Sequence, residues 1–500
     1  MTPTQSGDDE ARDARIDEVV ARILSRQAQA LSSTAGQDRS GDAGAMEREA
    51  RAATRRVDTS ASDRADISEV EYRQVRLERV VLVGLRTTQS EEEAENSLRE
   101  LAALAETAGS RVMDGVIQRR SLPDPATYLG SGKAKELADI VRAHEADTVI
   151  VDEELAPSQR RGLEDVVDAK VVDRTALILD IFAQHAKSRE GKAQVELAQL
   201  EYLLPRLRGW GESMSRQAGG RVAGGAGIGS RGPGETKIEL DRRRIRARMA
   251  KLKAEIARME PARRTQRGAR RRGGVPSVAI AGYTNAGKST LLNRLTDAGV
   301  LVEDALFATL DPTVRRARTA DGREYTLTDT VGFVRNLPTQ LVEAFRSTLE
   351  EVGAADVLLH VVDAAHPDPA SQVEAVRAVL SGIEGADRVP ELIALNKADL
   401  ATPEQLAVLR TAFPGSVALS AKTGYGVGTL RAALEDLLPR PSVLIDVVIP
   451  YSAGSLVHRV HEEGEVEREE YAAEGTRLVA RVDEALAAAV RAATASRADE

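Results

Sequence analysis

Across residues 277–438, short apolar runs alternate with stretches whose apolar positions recur at helical spacing, the pattern of a doubly wound, mostly parallel sheet flanked by helices. Upstream, Val80-Val81-Leu82-Val83 has the continuous apolar character of a buried strand, and Leu98, Leu101 and Leu104 mark one side of a helix over 91–106. Further strand-like pieces at 111–117, 148–151 and 171–172, separated by helical stretches, predict a small parallel α/β subdomain. Residues 191–207 and 235–259 are helical by pattern, the second with Ile238, Ile245, Met249, Leu252 and Ile256 on one side. The glycine-dense stretch 209–234 between them predicts an antiparallel helical hairpin with a long loop. Beyond Pro439 and Pro441, a strand over 444–449, a helix near Leu456 and Val457, and apolar alternation near Tyr471 and Leu478 predict a small α+β domain. Residues 1–70 hold few large apolar side chains outside 16–24 and read as largely disordered, with one short helix.

The expected organisation is therefore an acidic extension over 1–75, an α/β subdomain over 76–188, a hairpin over 189–272, a doubly wound domain over 273–440 and an α+β domain over 441–500. Five hundred residues exceed what one core organises, in keeping with several units. No apolar run approaches the roughly eighteen residues of a membrane span. Residues 1–13 lack a charged segment followed by an apolar one, so no secretory signal is expected. With no cysteine in the chain, disulfides and thiolate metal sites are excluded, and a cytoplasmic monomer is the expectation. The net charge of −9 disfavours nucleic acid as a partner, but residues 204–272 hold 20 Lys and Arg against 6 Asp and Glu, a strongly basic region inside an acidic chain.

Candidate chemistry begins at Gly282-Tyr283-Thr284-Asn285-Ala286-Gly287-Lys288-Ser289, a G-x-x-x-x-G-K-S loop between an apolar strand and a helix. Glycines there permit a tight turn whose amides face phosphates, the helix N-terminus adds positive potential, Lys288 reaches the β- and γ-phosphates and Ser289 ligates Mg²⁺. Asp329-Thr330-Val331-Gly332 ends a second apolar strand, where a carboxylate can hold Mg²⁺ through water and the Gly332 amide can meet the γ-phosphate. Asn396-Lys397-Ala398-Asp399 ends a third strand. A buried carboxylate at Asp399 pairs with the ring N–H and exocyclic amine of guanine, whereas adenine leaves it unpaired. Ser420-Ala421-Lys422 brings a backbone N–H to the guanine carbonyl. Four motifs in this order identify a GTP- and GDP-binding hydrolase.

Between the first two motifs lies Phe307-Ala308-Thr309-Leu310-Asp311-Pro312-Thr313, where a threonine must complete the Mg²⁺ shell when the γ-phosphate is present. Thr309 is the choice and Thr313 the rival. The candidate catalytic residues are Lys288, Thr309 and Gly332. Phe333 occupies the position where many GTPases carry a water-orienting glutamine, so hydrolysis is slow until a partner, a cation or a rearranged loop supplies the missing stabilisation. Gly130-Ser131-Gly132-Lys133 reads as a turn capping a helix rather than a second phosphate site, and neither Trp210 nor the histidines show metal-ligand spacing.

Together with Tyr128-Leu129-Gly130-Ser131-Gly132-Lys133 and Gly232-Pro233-Gly234-Glu235, these motifs closely resemble the HflX family of ribosome-associated GTPases over most of the chain from Arg79. The resemblance implies binding to the large ribosomal subunit and its rRNA, and in several relatives the splitting of stalled or stress-inactivated ribosomes. It also implies an apolar residue in place of the catalytic glutamine, as at Phe333, and an activating K⁺ held with the help of Asn285. The basic hairpin suits this partner, because Lys and Arg that neutralise phosphates release counterions. Its glycines let backbone approach RNA, with Arg216, Arg221 and Arg231 available for phosphates or bases. Two functions stay open: a GTPase that dissociates ribosomes, and a GTP-controlled ribosome- or RNA-binding factor for hibernation or assembly that leaves subunits joined. An Asp399→Asn substitution is expected to move preference from guanosine to xanthosine nucleotides, read by competition binding; unchanged guanosine preference refutes the account of base selection.

Overall fold

The computed structural model describes residue 14 and residues 16–23, 79–88, 90–207, 233–272, 275–296, 306–307, 313–320, 322–335, 337–439, 443–482 and 484–495. The chain divides into two units, 1–180 and 181–500.

In the first unit, β1 (Arg79–Arg86), β2 (Arg111–Arg119), β3 (Thr148–Val151) and β4 (Lys170–Asp173) form an all-parallel sheet in the order β2-β1-β3-β4. The crossovers are α1 (Glu91–Thr107), α2 (Ser131–Ala143) and α3 (Pro157–Val167), and α4 (Arg174–His185) follows β4. Ser90 starts α1 with a reciprocal cap: its hydroxyl accepts from the Glu93 amide at 3.1 Å, and the Glu93 carboxylate accepts from the Ser90 amide at 2.7 Å. Most of the extension expected to be disordered lies outside the described residues. Residues 16–23, however, form a helix that buries Ile16, Val19, Val20 and Ile23, and Asp17 pairs with Arg99 of α1 at 3.0 Å. The packing is close enough that a Cβ on Gly115 of β2 would lie 2.6 Å from Ile23 Cδ1.

The second unit opens with the packed helices α5 (Arg189–Arg206) and α6 (Pro233–Arg272), which bury Ala193, Leu197 and Leu252 against each other. Ion pairs Arg248–Glu196 (2.6 Å), Arg189–Glu255 (2.6 Å) and Lys253–Glu201 (2.9 Å) flank this seam. At 40 residues, α6 runs well past the helix expected over 235–259. It begins on Pro233, whose fixed φ suits a first turn, and continues through Pro261 into an Ala- and Arg-rich segment of high helix propensity.

A six-stranded sheet follows in the order β10-β9-β8-β5-β7-β6, parallel throughout except for β6. Its strands are β5 (Ser277–Gly282), β6 (Thr313–Arg318), β7 (Glu324–Asp329), β8 (Val357–Asp363), β9 (Glu391–Asn396) and β10 (Val417–Ala418). One face packs against α7 (Lys288–Thr296) through Leu291, Leu292 and Leu295 and against α12 (Val427–Leu437) through Leu430 and Leu434. The other packs against α10 (Pro369–Leu380) through Val373 and α11 (Pro403–Ala412) through Leu409. Short helices α8 (Thr339–Ala344) and α9 (Arg346–Gly353) lie between β7 and β8 in sequence, and α8 also packs on α5. Edge strand β6 carries three consecutive exposed residues, Val314, Arg315 and Arg316, which explains why no apolar run announces it. The C-terminal sheet, β11 (Val443–Ile449), β12 (Glu465–Ala472) and β13 (Gly475–Val482), is antiparallel in the order β11-β13-β12 and packs on α13 (Gly454–Glu463) and α14 (Glu484–Ala495). Among the described residues no helix is long and apolar enough to cross a membrane.

A partly buried carboxylate on β9 pairs with a buried histidine on adjacent β8. His360 Nδ1 lies 2.7 Å from Glu391, whose carboxylate also accepts from Arg377 at 2.6 Å. Burial pushes the Glu391 carboxyl up, but hydrogen bonds and charge from His360 and Arg377 outweigh it and bring the pKa to about 2. A folded pKa below the ordinary 4.5 means that stability is present above pH 4.5 and is lost as pH falls toward 2. Urea midpoints are therefore expected to favour the unaltered chain over Glu391→Gln at pH 7, with the gap closing steadily between pH 4.5 and pH 3.

Candidate functional site

The phosphate loop is set by what β5 meets at its C-terminal end. Gly282 has φ +153°, and a Cβ there would lie 2.2 Å from the Val361 carbonyl of β8. Gly287 has φ +88°, and a Cβ would lie 2.3 Å from Asn396 Nδ2. Only glycine fits either position. Between them Asn285 takes a left-handed backbone (φ +58°), which asparagine tolerates, and is exposed, while Ala286 is buried. The loop then turns into α7, so its amides and the helix N-terminus lie at one place.

Lys288 is buried, and its ammonium donates to the carbonyls of Gly282 (3.0 Å) and Tyr283 (2.9 Å). Burial lowers its pKa to about 8, against the opposing pull of the Asp329 charge. Next to it the Ser289 hydroxyl donates to Asp329 Oδ2 at 2.8 Å. A hydroxyl and a carboxylate oxygen in contact are hard donors of the kind Mg²⁺ accepts alongside waters and phosphate, so the pair fits that ion. The Thr284 hydroxyl is buried without a hydrogen-bond partner among the described residues.

Thr330 extends the β5–β7 ladder, its amide and hydroxyl both donating to the Ile280 carbonyl (3.2 and 2.8 Å). Val331 and Gly332 follow, buried, and a Cβ on Gly332 would lie 2.7 Å from Thr284 Cγ2 and 3.1 Å from Lys288 Nζ. Phe333 is bonded to the loop from both sides: its amide donates to Gly282 O (3.2 Å) and its carbonyl accepts from the Thr284 amide (2.7 Å). The Arg335 amide donates to the Tyr283 hydroxyl. Phe307 is buried in a left-handed backbone (φ +60°), whereas Ala308, Thr309, Leu310 and Asp311 lie outside the described residues. Thr313, the rival of Thr309, opens β6 directly opposite Asp329.

The third and fourth motifs meet at Asn396, whose amide group donates to the Ala286 carbonyl (2.8 Å) while its oxygen accepts from the Ala421 amide (2.9 Å). The Ala398 amide donates to Leu419 O (3.0 Å), and Lys397, left-handed at φ +58°, pairs with Asp363 at 2.8 Å. Ser420 is buried, and its hydroxyl accepts from the Thr423 amide at 3.1 Å. Lys422 is exposed, and so is Asp399, where a buried carboxylate was expected. At the end of β9 the chain turns outward, so a base laid over Asp399 must itself provide the desolvation that the selectivity argument requires. Motif reading missed Arg294 of α7, which donates to the carbonyls of Ala421 (3.2 Å) and Lys422 (2.7 Å) and braces that loop. A lone arginine on a helix gives no sequence signal for this role. It also missed Phe182 at the end of α4, whose ring contacts are local only in three dimensions.

Three family models match consecutive stretches: a GTP-binding GTPase N-terminal region over 95–183, a GTP-binding GTPase middle region over 185–270 and a 50S ribosome-binding GTPase over 277–397. The chain is 46% identical to the GTPase HflX of Lacrimispora saccharolytica, across 80% of this chain and 92% of that protein. It is 45% identical to that of Caldanaerobacter subterraneus, across 81% and 91%, and 43% identical to that of Escherichia coli, across 78% and 90%. The chain belongs to the HflX family of GTPases. Its reaction is thus the hydrolysis of GTP to GDP and phosphate, carried on a P-loop domain with a mostly parallel sheet. In this HflX chain the residue after Gly332 is a buried phenylalanine, 2% exposed, with no group to orient water.

Because burial favours the neutral Lys288 amine while a bound phosphate favours the ammonium, nucleotide binding is coupled to proton uptake above pH 8. In magnesium buffer the affinity for fluorescent GDP is expected to fall about tenfold between pH 7 and pH 9. Buffers of differing ionisation heat would show the proton uptake by calorimetry, and a flat affinity profile rules the coupling out.

Proposed function

We propose that this GTPase binds the large ribosomal subunit and dissociates ribosomes under stress, with GTP hydrolysis timing its release. The observation that carries the reading is the exposed basic surface of α6, where Arg243, Arg244, Arg246, Lys251 and Arg258 all face solvent in a chain whose net charge is −9. A row of cations on one rigid helix matches the spacing of a nucleic-acid backbone and gives salt-dependent affinity. The match of residues 277–397 to a 50S ribosome-binding GTPase family supports rRNA as that nucleic acid.

In this reading residues 76–188 and 189–272 form the ribosome-facing part, 273–440 the GTPase domain and 441–500 an accessory domain, in a monomer that works in the cytoplasm. Within the GTPase domain, residues 282–289 hold the phosphates, Ser289 and Thr309 ligate Mg²⁺, and Asp329 supports that ion through water. The Gly332 amide meets the γ-phosphate, while Asn396, Lys397, Ala398 and Asp399 with Ser420, Ala421 and Lys422 hold the guanine. Asn285, exposed in the loop, assists a K⁺ ion that supplies part of the transition-state stabilisation missing with Phe333 in place of a water-orienting glutamine. Gradient sedimentation tests the function: added to intact ribosomes with a non-hydrolysable GTP analogue, the protein is expected to convert them to free subunits. Intact ribosomes that carry the protein would instead establish a binding factor for hibernation or assembly.

A further inference from the structure

Phe182 lies near the C-terminus of α4, within the larger unit. Its ring centroid is 4.5 Å from that of Phe307 and 5.2 Å from that of Phe345, and all three rings are buried. A small apolar cavity beside it is lined by Gly332, Phe333 and Leu341 as well as by Phe182 and Phe345. Phe307 precedes Thr309 by two residues, and Gly332 and Phe333 follow the Asp329 strand. One aromatic ring therefore sits against both chain segments that must respond to a γ-phosphate.

Two details say what that contact does. The left-handed backbone of Phe307 is costly for a residue with a Cβ and no polar side chain to compensate, so packing must hold it there. On the other segment, a methyl group on Gly332 would already crowd Lys288 Nζ at 3.1 Å, and the backbone of Phe333 is bonded to Gly282 and Thr284. The Gly332 backbone and Lys288 Nζ are thus close together, and a γ-phosphoryl group bonded to both has to part them, whereas a diphosphate does not.

We propose that Phe182 is a positioning residue for GTP: its ring clamps Phe307 on one segment and the Phe333–Phe345 region on the other, and so sets how strongly the chain favours diphosphate over triphosphate. The inference rests on the GTP chemistry of the family and not on the ribosomal reading. In the full-length chain, Phe182→Ala removes the clamp. Equilibrium titration with fluorescent GDP and a fluorescent non-hydrolysable GTP analogue is expected to show the affinity ratio moving toward the triphosphate by about five- to tenfold. Phe182→Leu, which keeps part of the apolar contact, should shift the ratio partway, by less than Phe182→Ala. Leu434→Ala, which opens the same domain's core at α12, should lower stability and leave the ratio alone. An unchanged ratio in Phe182→Ala, a shift toward diphosphate, or an equal shift in Leu434→Ala overturns the proposal. If Phe182→Ala does not fold, a Phe182→Leu ratio shifted partway toward the triphosphate, against an unshifted Leu434→Ala, supports the clamp, and an unshifted one overturns it.

Discussion

A buried ammonium with no carboxylate in contact among the described residues governs the architecture of the nucleotide domain. Lys288 is held by two carbonyl dipoles, those of Gly282 and Tyr283, and its positive charge is only partly offset by Asp329. Carbonyl dipoles orient a cation but do not neutralise it, so the pocket keeps a net attraction for anions. Glycine at 282 and 287 follows from this, because the loop must wrap the lysine while passing β8 and Asn396 at distances no Cβ permits. The parallel sheet follows in turn, since β5, β7, β8 and β9 must all end at the same edge to deliver loop, carboxylate and base-facing residues together.

The sequence made much of this readable, and the limits of reading have physical causes. Strands β5 and β9 are buried on both faces, so their apolar runs are continuous, and they end on motifs, as does β7 with its Tyr325 and Leu327. Edge strand β6 exposes three consecutive residues and holds three arginines among its six positions, so no apolar run or alternation marks it as a strand. Helix α6 outruns its apolar periodicity, which ends at Ile256, because the Ala- and Arg-rich chain beyond Pro261 is helix-forming without an apolar stripe. The helix at residues 16–23 was visible as an apolar cluster, but its burial against α1 and β2 depends on tertiary contacts such as that between Ile23 and Gly115.

At the site, the residues of the four motifs were legible by type and order, because each strand end demands a particular atom. Their local duties were less so. Asn396 reads in sequence as a base-binding residue, yet in the fold both ends of its amide group are engaged by backbone. Asp399 reads as buried and is exposed, since the turn after β9 is governed by the left-handed Lys397 and its pairing with Asp363. Arg294 and Phe182 act through contacts that join distant stretches of chain, for which one sequence holds no spacing rule.

The amide of Asn396 is a strut between the phosphate loop at Ala286 and the loop at Ala421, to which the proposed function assigns opposite ends of a nucleotide. Because one side chain fixes the height of both the phosphate cradle and the purine shelf, neither can be adjusted alone. Evolution of this domain toward a different base would carry a penalty in phosphate grip, and any loosening of the cradle would blur the choice of purine. Fidelity and tightness are thus tied together, on that assignment, by a single pair of hydrogen bonds at the C-terminal end of β9.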